Sequence, residues 1–114
     1  MSLNMKDQHI SICRQNDLIP NSGICAELAG KQVALFYLPD ESPAIYAIDN
    51  WDPIGKANVL SRGIVGDING QLVVSSPLYK QHFDLITGQC IEHSDVKVPA
   101  YVVELVDDCV LINQ

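Results

Sequence analysis

Polar and apolar side chains alternate over His9-Ile10-Ser11-Ile12-Cys13, the period-two signature of a half-buried strand. Turn formers in residues 15–23, among them Asn16, Asp17, Pro20, Asn21 and Gly23, break that pattern. A second strand is predicted over residues 24–28, turning at Ala29-Gly30-Lys31 into residues 32–38, where Val33-Ala34-Leu35-Phe36-Tyr37-Leu38 offers no polar face. A strand that is apolar on both sides belongs at the centre of a sheet covered twice. Past the Pro39 to Pro43 turn, residues 44–48 give a fourth strand. Residues 49–66 then read as irregular, hold Pro53, Gly55, Gly63 and Gly66, and are long for a plain connection.

Asn69-Gly70 marks a hairpin, because both residues tolerate positive φ, and it feeds a strand over residues 71–75. Residues 75–88 form the loop around which the pattern is organised. Ser76-Pro77 stops the apolar run Leu72-Val73-Val74, and Phe83-Asp84-Leu85 resumes an extended pattern before the Thr87-Gly88 turn. Short strands are predicted at 83–85 and 90–91, and a last hairpin joins 100–106 to 109–112 through Asp107-Asp108. About eight or nine short strands without a helical period predict an all-β antiparallel sandwich or small barrel. Residues 9–114 are expected to form one domain behind an N-terminal tail, residues 1–8, whose Met1-Ser2-Leu3 has the look of an expression scar.

A hydrophobic content of 47% with 18% charged residues fits a packed core. The net charge of −7 argues against nucleic acid and anionic membrane as partners, since both need clustered Lys and Arg. The longest apolar run, residues 33–38, is far short of the roughly 20 residues of a spanning helix. With no secretory pattern at the start, a cytoplasmic protein is expected. The cysteines at 13, 25, 90 and 109 are accordingly expected as buried free thiols.

Little in the residues offers chemistry. Cys90-Ile91-Glu92-His93 has the spacing of a metal half-site, but a closed site needs four ligands and no second half is spaced to complete it. Ser75, Ser76, His82 and Asp84 do not sit in a nucleophile elbow, and neither a dinucleotide nor a phosphate glycine motif is present. No catalytic residue and no metal site is expected.

Two loops carry a resemblance. Asp49-Asn50-Trp51-Asp52-Pro53-Ile54-Gly55-Lys56 and Ser76-Pro77-Leu78-Tyr79-Lys80-Gln81-His82-Phe83-Asp84, the latter closed by Thr87-Gly88, resemble the two loops of a Rieske [2Fe–2S] domain. The pattern there is Cys-Pro-His in the first loop and Cys-Pro-x-His-Gly, then Phe and a Thr-Gly turn, in the second. The ligand positions depart from it: Asp52 and Ile54 stand at the first Cys and His, Ser76 and Tyr79 at the second pair. A Rieske centre takes two thiolates on one iron and two imidazoles on the other. Isoleucine has no lone pair and the oxygen donors are hard, so a Rieske-like fold without a cluster is expected.

Asp49 to Pro53, the string Asn58-Val59-Leu60-Ser61-Arg62-Gly63-Ile64-Val65-Gly66-Asp67, and Ser76 to Phe83 are similar to the family of small subunits of assimilatory NAD(P)H-dependent nitrite reductases. That resemblance implies a cytoplasmic, non-catalytic subunit without a cofactor of its own. It would bind and organise a large subunit that carries FAD, a [4Fe–4S] cluster and sirohaem and reduces nitrite to ammonium in nitrate assimilation. The alternatives are a Rieske-type ferredoxin-like electron carrier, or a cluster-free interaction module for another oxidoreductase. With no cluster to pin them, the tips are expected to rely on packing of Trp51, Pro53, Ile54 and Pro77 and on hydrogen bonds from Asp52, Ser76 or Tyr79. Trp51, Tyr79, Lys80 and His82 have the composition of an interface centre; alternatively, Trp51 and Tyr79 plug the vacated pocket.

Overall fold

The computed structural model describes residues 9–113; the N-terminal tail, residues 1–8, and Gln114 lie outside them. The strands run β1 (His9–Arg14), β2 (Ser22–Leu28), β3 (Lys31–Tyr37), β4 (Ile45–Asp49), β5 (Trp51–Asp52), β6 (Ala57–Asn58), β7 (Ile64–Ile68), β8 (Gln71–Ser75), β9 (His82–Asp84), β10 (Ala100–Tyr101), β11 (Val103–Val106) and β12 (Cys109–Asn113). They build an antiparallel sheet β10-β4-β3-β2, two smaller sheets β1-β12-β11 and β7-β8-β9, and a short β5-β6 ribbon.

Strand β3 explains the layering. Its Val33 and Leu35 pack with Leu28, Ala47, Val110 and Ile112, while Ala34 and Phe36 pack with Tyr46, Ile48, Leu60, Val74 and Phe83. Side chains alternate between the faces of a strand, so the four-stranded sheet is covered on one side by β12 and on the other by β8 and β9. All four of these β3 side chains have no exposed surface, and a buried Leu, Val or Phe stabilises by about 1.5–3 kcal/mol. The fold is a layered sandwich. No closed barrel forms, and the barrel form of the expectation is set aside.

Three connections are tight turns with positive φ at both central residues: Ala29-Gly30 (50° and 82°), Asn69-Gly70 (52° and 85°) and Asp107-Asp108 (49° and 70°). That geometry matches the twist of the strands they join.

The structure departs from the sequence pattern in three places. The strand predicted over residues 100–106 is two strands in different sheets: β10 pairs with β4, β11 with β12. The chain changes sheets at Val102, whose carbonyl accepts the Asn113 N–H at 3.0 Å and whose side chain is 68% exposed. Residues 90–91 make only an isolated bridge, Phe83 to Cys90. The stretch 49–66 is not irregular throughout. It holds β5, β6, a 3-10 turn over Leu60–Arg62 and the start of β7, anchored by the fully buried Leu60 and by Asn50, whose side-chain oxygen accepts the Ser61 N–H at 2.7 Å.

The four cysteines are free, but only Cys90 is buried; Cys25 is exposed and Cys13 and Cys109 are half-buried. Cys13 lies opposite Val110 and Cys109 opposite Arg14, which puts the two sulfurs on opposite faces of their sheet. Among the described residues no helix is long and apolar enough to cross a membrane.

Candidate functional site

The two loops meet at one end of the layered fold. The first is the turn of the β5-β6 ribbon, registered by Trp51 opposite Asn58 and Asp52 opposite Ala57. The second joins β8 to β9, where Ser75 lies opposite His82. Both turns have one construction. In Asp52-Pro53-Ile54-Gly55-Lys56 the Lys56 N–H donates to the Asp52 carbonyl at 2.6 Å, and in Ser76-Pro77-Leu78-Tyr79-Lys80 the Lys80 N–H donates to the Ser76 carbonyl at 3.1 Å. Each lysine has a left-handed backbone, φ 59° and 67°. A residue with a Cβ there carries strain on the order of 1 kcal/mol or more.

The turns are bolted together by side chains. Asp52 has no exposed surface and Ser76 is 1% exposed. The Ser76 hydroxyl donates to Asp52 Oδ2 at 2.5 Å, and Asp52 Oδ1 accepts the N–H groups of Ile54 at 2.8 Å and Gly55 at 3.0 Å. The Ser76 oxygen in turn accepts the Leu78 N–H at 3.3 Å. A buried carboxylate satisfied by three donors is stable where an unpaired one would not be. Gly55 permits the approach, because a Cβ there would stand 2.5 Å from Leu78 Cδ1 and 2.9 Å from Asp52 Oδ2.

The four positions that correspond to Rieske ligands therefore behave differently from one another. Asp52 and Ser76 face each other and satisfy each other. Ile54 is half-buried against the core cluster of Leu60, Val74 and Phe83. Tyr79 is 64% exposed. An apolar side chain in the core, two oxygens already committed to a mutual hydrogen bond and an exposed phenol do not fit a [2Fe–2S] centre, which takes two thiolates and two imidazoles.

This geometry corrects part of the sequence reading. Trp51, 44% exposed, and Tyr79, 64% exposed, are not plugs between the loops; the side chains turned inward there are Asp52, Ser76 and the half-buried Ile54. Pro77 is exposed rather than packed, and the side chain against the first loop is that of Leu78. Leu78 and Lys56 were not singled out from sequence, although the repeated Pro-x-x-Lys of the two loops was there to be read.

His82 and Lys80 fall on either side of Gln81. Lys80 is exposed. His82 is tied to Glu92, whose carboxylate accepts the His82 N–H at 2.8 Å and meets its ring Nδ1 at 2.6 Å. Burial alone would raise the Glu92 carboxyl, but these hydrogen bonds outweigh it and hold the group below the usual carboxylate range. The hydroxyl of Ser76, the ring of His82 and the carboxylate of Asp84 serve three separate partners: Asp52, Glu92 and the 84–87 turn. They do not form a relay. Cys90 is buried, and burial pushes its thiol up, which opposes the thiolate a metal requires. Among the described residues no group of three or more His, Cys, Asp or Glu is arranged to hold a metal.

Comparison with known proteins bears on this arrangement. The profile of the Rieske-like [2Fe–2S] domain matches residues 8–113. The nitrite reductase (NADH) small subunit of Salmonella typhimurium strain LT2 is 42% identical over 103 residues, 90% of this chain and 94% of that protein. The solution structure of the Escherichia coli protein NirD superposes with a TM-score of 0.82 at 38% identity, covering 92% of this chain and 94% of that one. A nitrite reductase [NAD(P)H] large subunit from Klebsiella oxytoca is 40% identical over 95 residues, which span 83% of this chain and 10% of that protein.

Proposed function

The chain belongs to the Rieske-like domain family and, within it, to the nitrite reductase small subunits, and from that premise we propose that it is a cluster-free docking subunit for the large redox subunit. Residues 9–114 act as one unit, and the paired loop tips face the partner. The observation that carries this reading is the bolt between Asp52 and Ser76. The loops that would grip a cluster keep their shape by protein contacts alone, while Trp51, Leu78 and Tyr79 at the same end stay 44–64% exposed. Aromatic area with polar handles suits the centre of an interface, and exposing it has no role in the stability of the isolated chain.

The Klebsiella large subunit supports the pairing, because a stretch like this chain makes up a tenth of its length. Where the two are separate chains, a docked complex supplies what covalent linkage supplies there. The partner, on the same resemblance, carries FAD, a [4Fe–4S] cluster and sirohaem and passes electrons from NAD(P)H to nitrite in the cytoplasm, for nitrate assimilation. This chain contributes no step of that chemistry; it holds and orients the large subunit. A ferredoxin-type carrier is disfavoured by the donor set, and a module for another oxidoreductase by the small-subunit relatives.

Reconstitution tests the proposal. Large subunit with and without this chain is assayed for NAD(P)H-driven nitrite reduction and for complex formation on a sizing column. A stable complex with higher or longer-lived activity is expected, weakened by the double variant Trp51→Ala, Tyr79→Ala at unchanged thermal stability. Equal activity of the large subunit alone, with no complex, refutes it.

A further inference from the structure

We infer that the loop tips form a basic patch centred on Lys56 and Lys80 that docks onto an acidic surface of the large subunit. This rests on the docking reading above and adds the chemistry that the partner must present.

The chain is acidic, with 14 Asp and Glu against 7 Lys and Arg, yet its tips are not. Within the two five-residue turns the only carboxylate, Asp52, is buried in the bolt, whereas Lys56 and Lys80 are exposed. Elsewhere Arg14 is paired with Asp108 and Lys31 with Asp49. Lys56 and Lys80, like Arg62 and Lys97, carry no ion pair among the described residues. His82, two residues past the second turn, is paired with Glu92, whose partly exposed carboxylate also stands at this end.

Three further acids gather away from the tips. Asp67 lies next to the Asn69-Gly70 hairpin, at the end of the β7-β8 ladder away from Ser75, and it shares a surface hollow with Asp40 and Glu41. Four residues of strand place that end about 13 Å from the tip, beyond the Debye length of roughly 8 Å at physiological salt. A partner surface at the tips therefore feels the lysines, and an acidic surface approaching the far end is repelled. Such an uneven charge orients an encounter as well as strengthening it.

The backbone makes these lysines more than two surface cations. Among the described residues seven non-glycine positions have positive φ, and four of them are the Asn or Asp residues that tolerate it best: Asn21, Asn69, Asp107 and Asp108. Ala29 precedes Gly30 in a hairpin turn. Lys56 and Lys80 are the other two, at equivalent points of the two turns, where glycine or asparagine would serve the fold better. Strained positions that keep a functional side chain are a mark of binding sites. Trp51, Leu78 and Tyr79 supply the apolar area that desolvates ion pairs around them.

The test measures binding of this chain to its large subunit at low and high salt, for wild type, Lys56→Glu with Lys80→Glu, and Lys56→Gly with Lys80→Gly. The glycine pair keeps the turns while removing the lysine side chains with their charge, so unfolding cannot explain its effect. Both variants are expected to bind roughly tenfold or more weakly at low salt, with the difference closing near 0.5 M salt as screening rises. Wild-type affinity in the glutamate pair, while Trp51→Ala with Tyr79→Ala still weakens the complex, overturns the basic patch and leaves the docking site standing. Absence of any wild-type complex overturns both.

Discussion

The hydrogen bond between Ser76 and Asp52 is the feature whose removal says most. Replacing Ser76 by Ala deletes the hydroxyl that donates to Asp52 Oδ2 and leaves a carboxylate oxygen with no exposed surface short of a partner. A hydrogen bond to a charged group is worth about 1.5–3 kcal/mol. For a chain of this size that lowers the melting temperature by roughly 6–12 °C. Asp52→Ala goes further, because it also strips the acceptor from the Ile54 and Gly55 N–H groups, and should cost about 3–5 kcal/mol. The double variant should cost little more than Asp52→Ala alone, giving a coupling energy of about 1–2 kcal/mol in a double-mutant cycle. Urea titration followed by fluorescence suits the measurement, since the single tryptophan, Trp51, is the neighbour of Asp52 and reports on the loop directly. Single-variant losses that simply add, to within about 0.5 kcal/mol, would show that the two side chains act independently and that the loops are held by something else.

Three other outcomes follow from the same geometry. Gly88 has φ +80°, and a Cβ there would stand 1.9 Å from the Val98 carbonyl oxygen; Gly88→Ala should therefore destabilise by on the order of 3 kcal/mol, read as a lower urea midpoint. At Lys80, with φ 67°, Gly should match or exceed wild-type stability by up to about 1 kcal/mol, while β-branched Val lowers it, and calorimetry that ranks Val above Gly contradicts the left-handed turn. Burial would raise the Asp84 carboxyl, but hydrogen bonds from the Gln71 side chain and from the Thr87 and Ile86 N–H groups prevail and hold it below the usual carboxylate value. A depressed folded value gives stability that is full above the unfolded pKa, about 4, and is lost as pH falls through the folded value. Asp84→Asn should accordingly lower the neutral plateau of a stability-against-pH curve and flatten its acid limb, with the two proteins converging at low pH.

Much of the fold was legible because the informative signals are local. The two-faced apolar run from Val33 to Phe36 places β3 at the centre, and Asn69-Gly70 and Asp107-Asp108 announce their hairpins. The sheet change at Val102 was hidden, since residues 100–106 keep a continuous strand-like pattern and only pairing with β4 or β12 divides them. At the tips, the exchanged ligand positions could be read directly. How those residues would be used could not. Tyr79, legible as either an interface residue or a filler, is exposed, whereas Leu78 lies against Gly55; two adjacent side chains in a turn differ in fate by backbone direction, which composition does not encode. Lys56 was overlooked because its role appears only when the two turns are laid side by side.

The bolt of Asp52 and Ser76 also bears on when this subunit becomes ready. A domain whose loops are joined through a metal cluster cannot finish folding until iron and sulfide arrive, and it loses shape when they leave. Here the joining atoms are encoded in the chain, so this joint forms together with the fold itself. The body can stand complete before any partner docks.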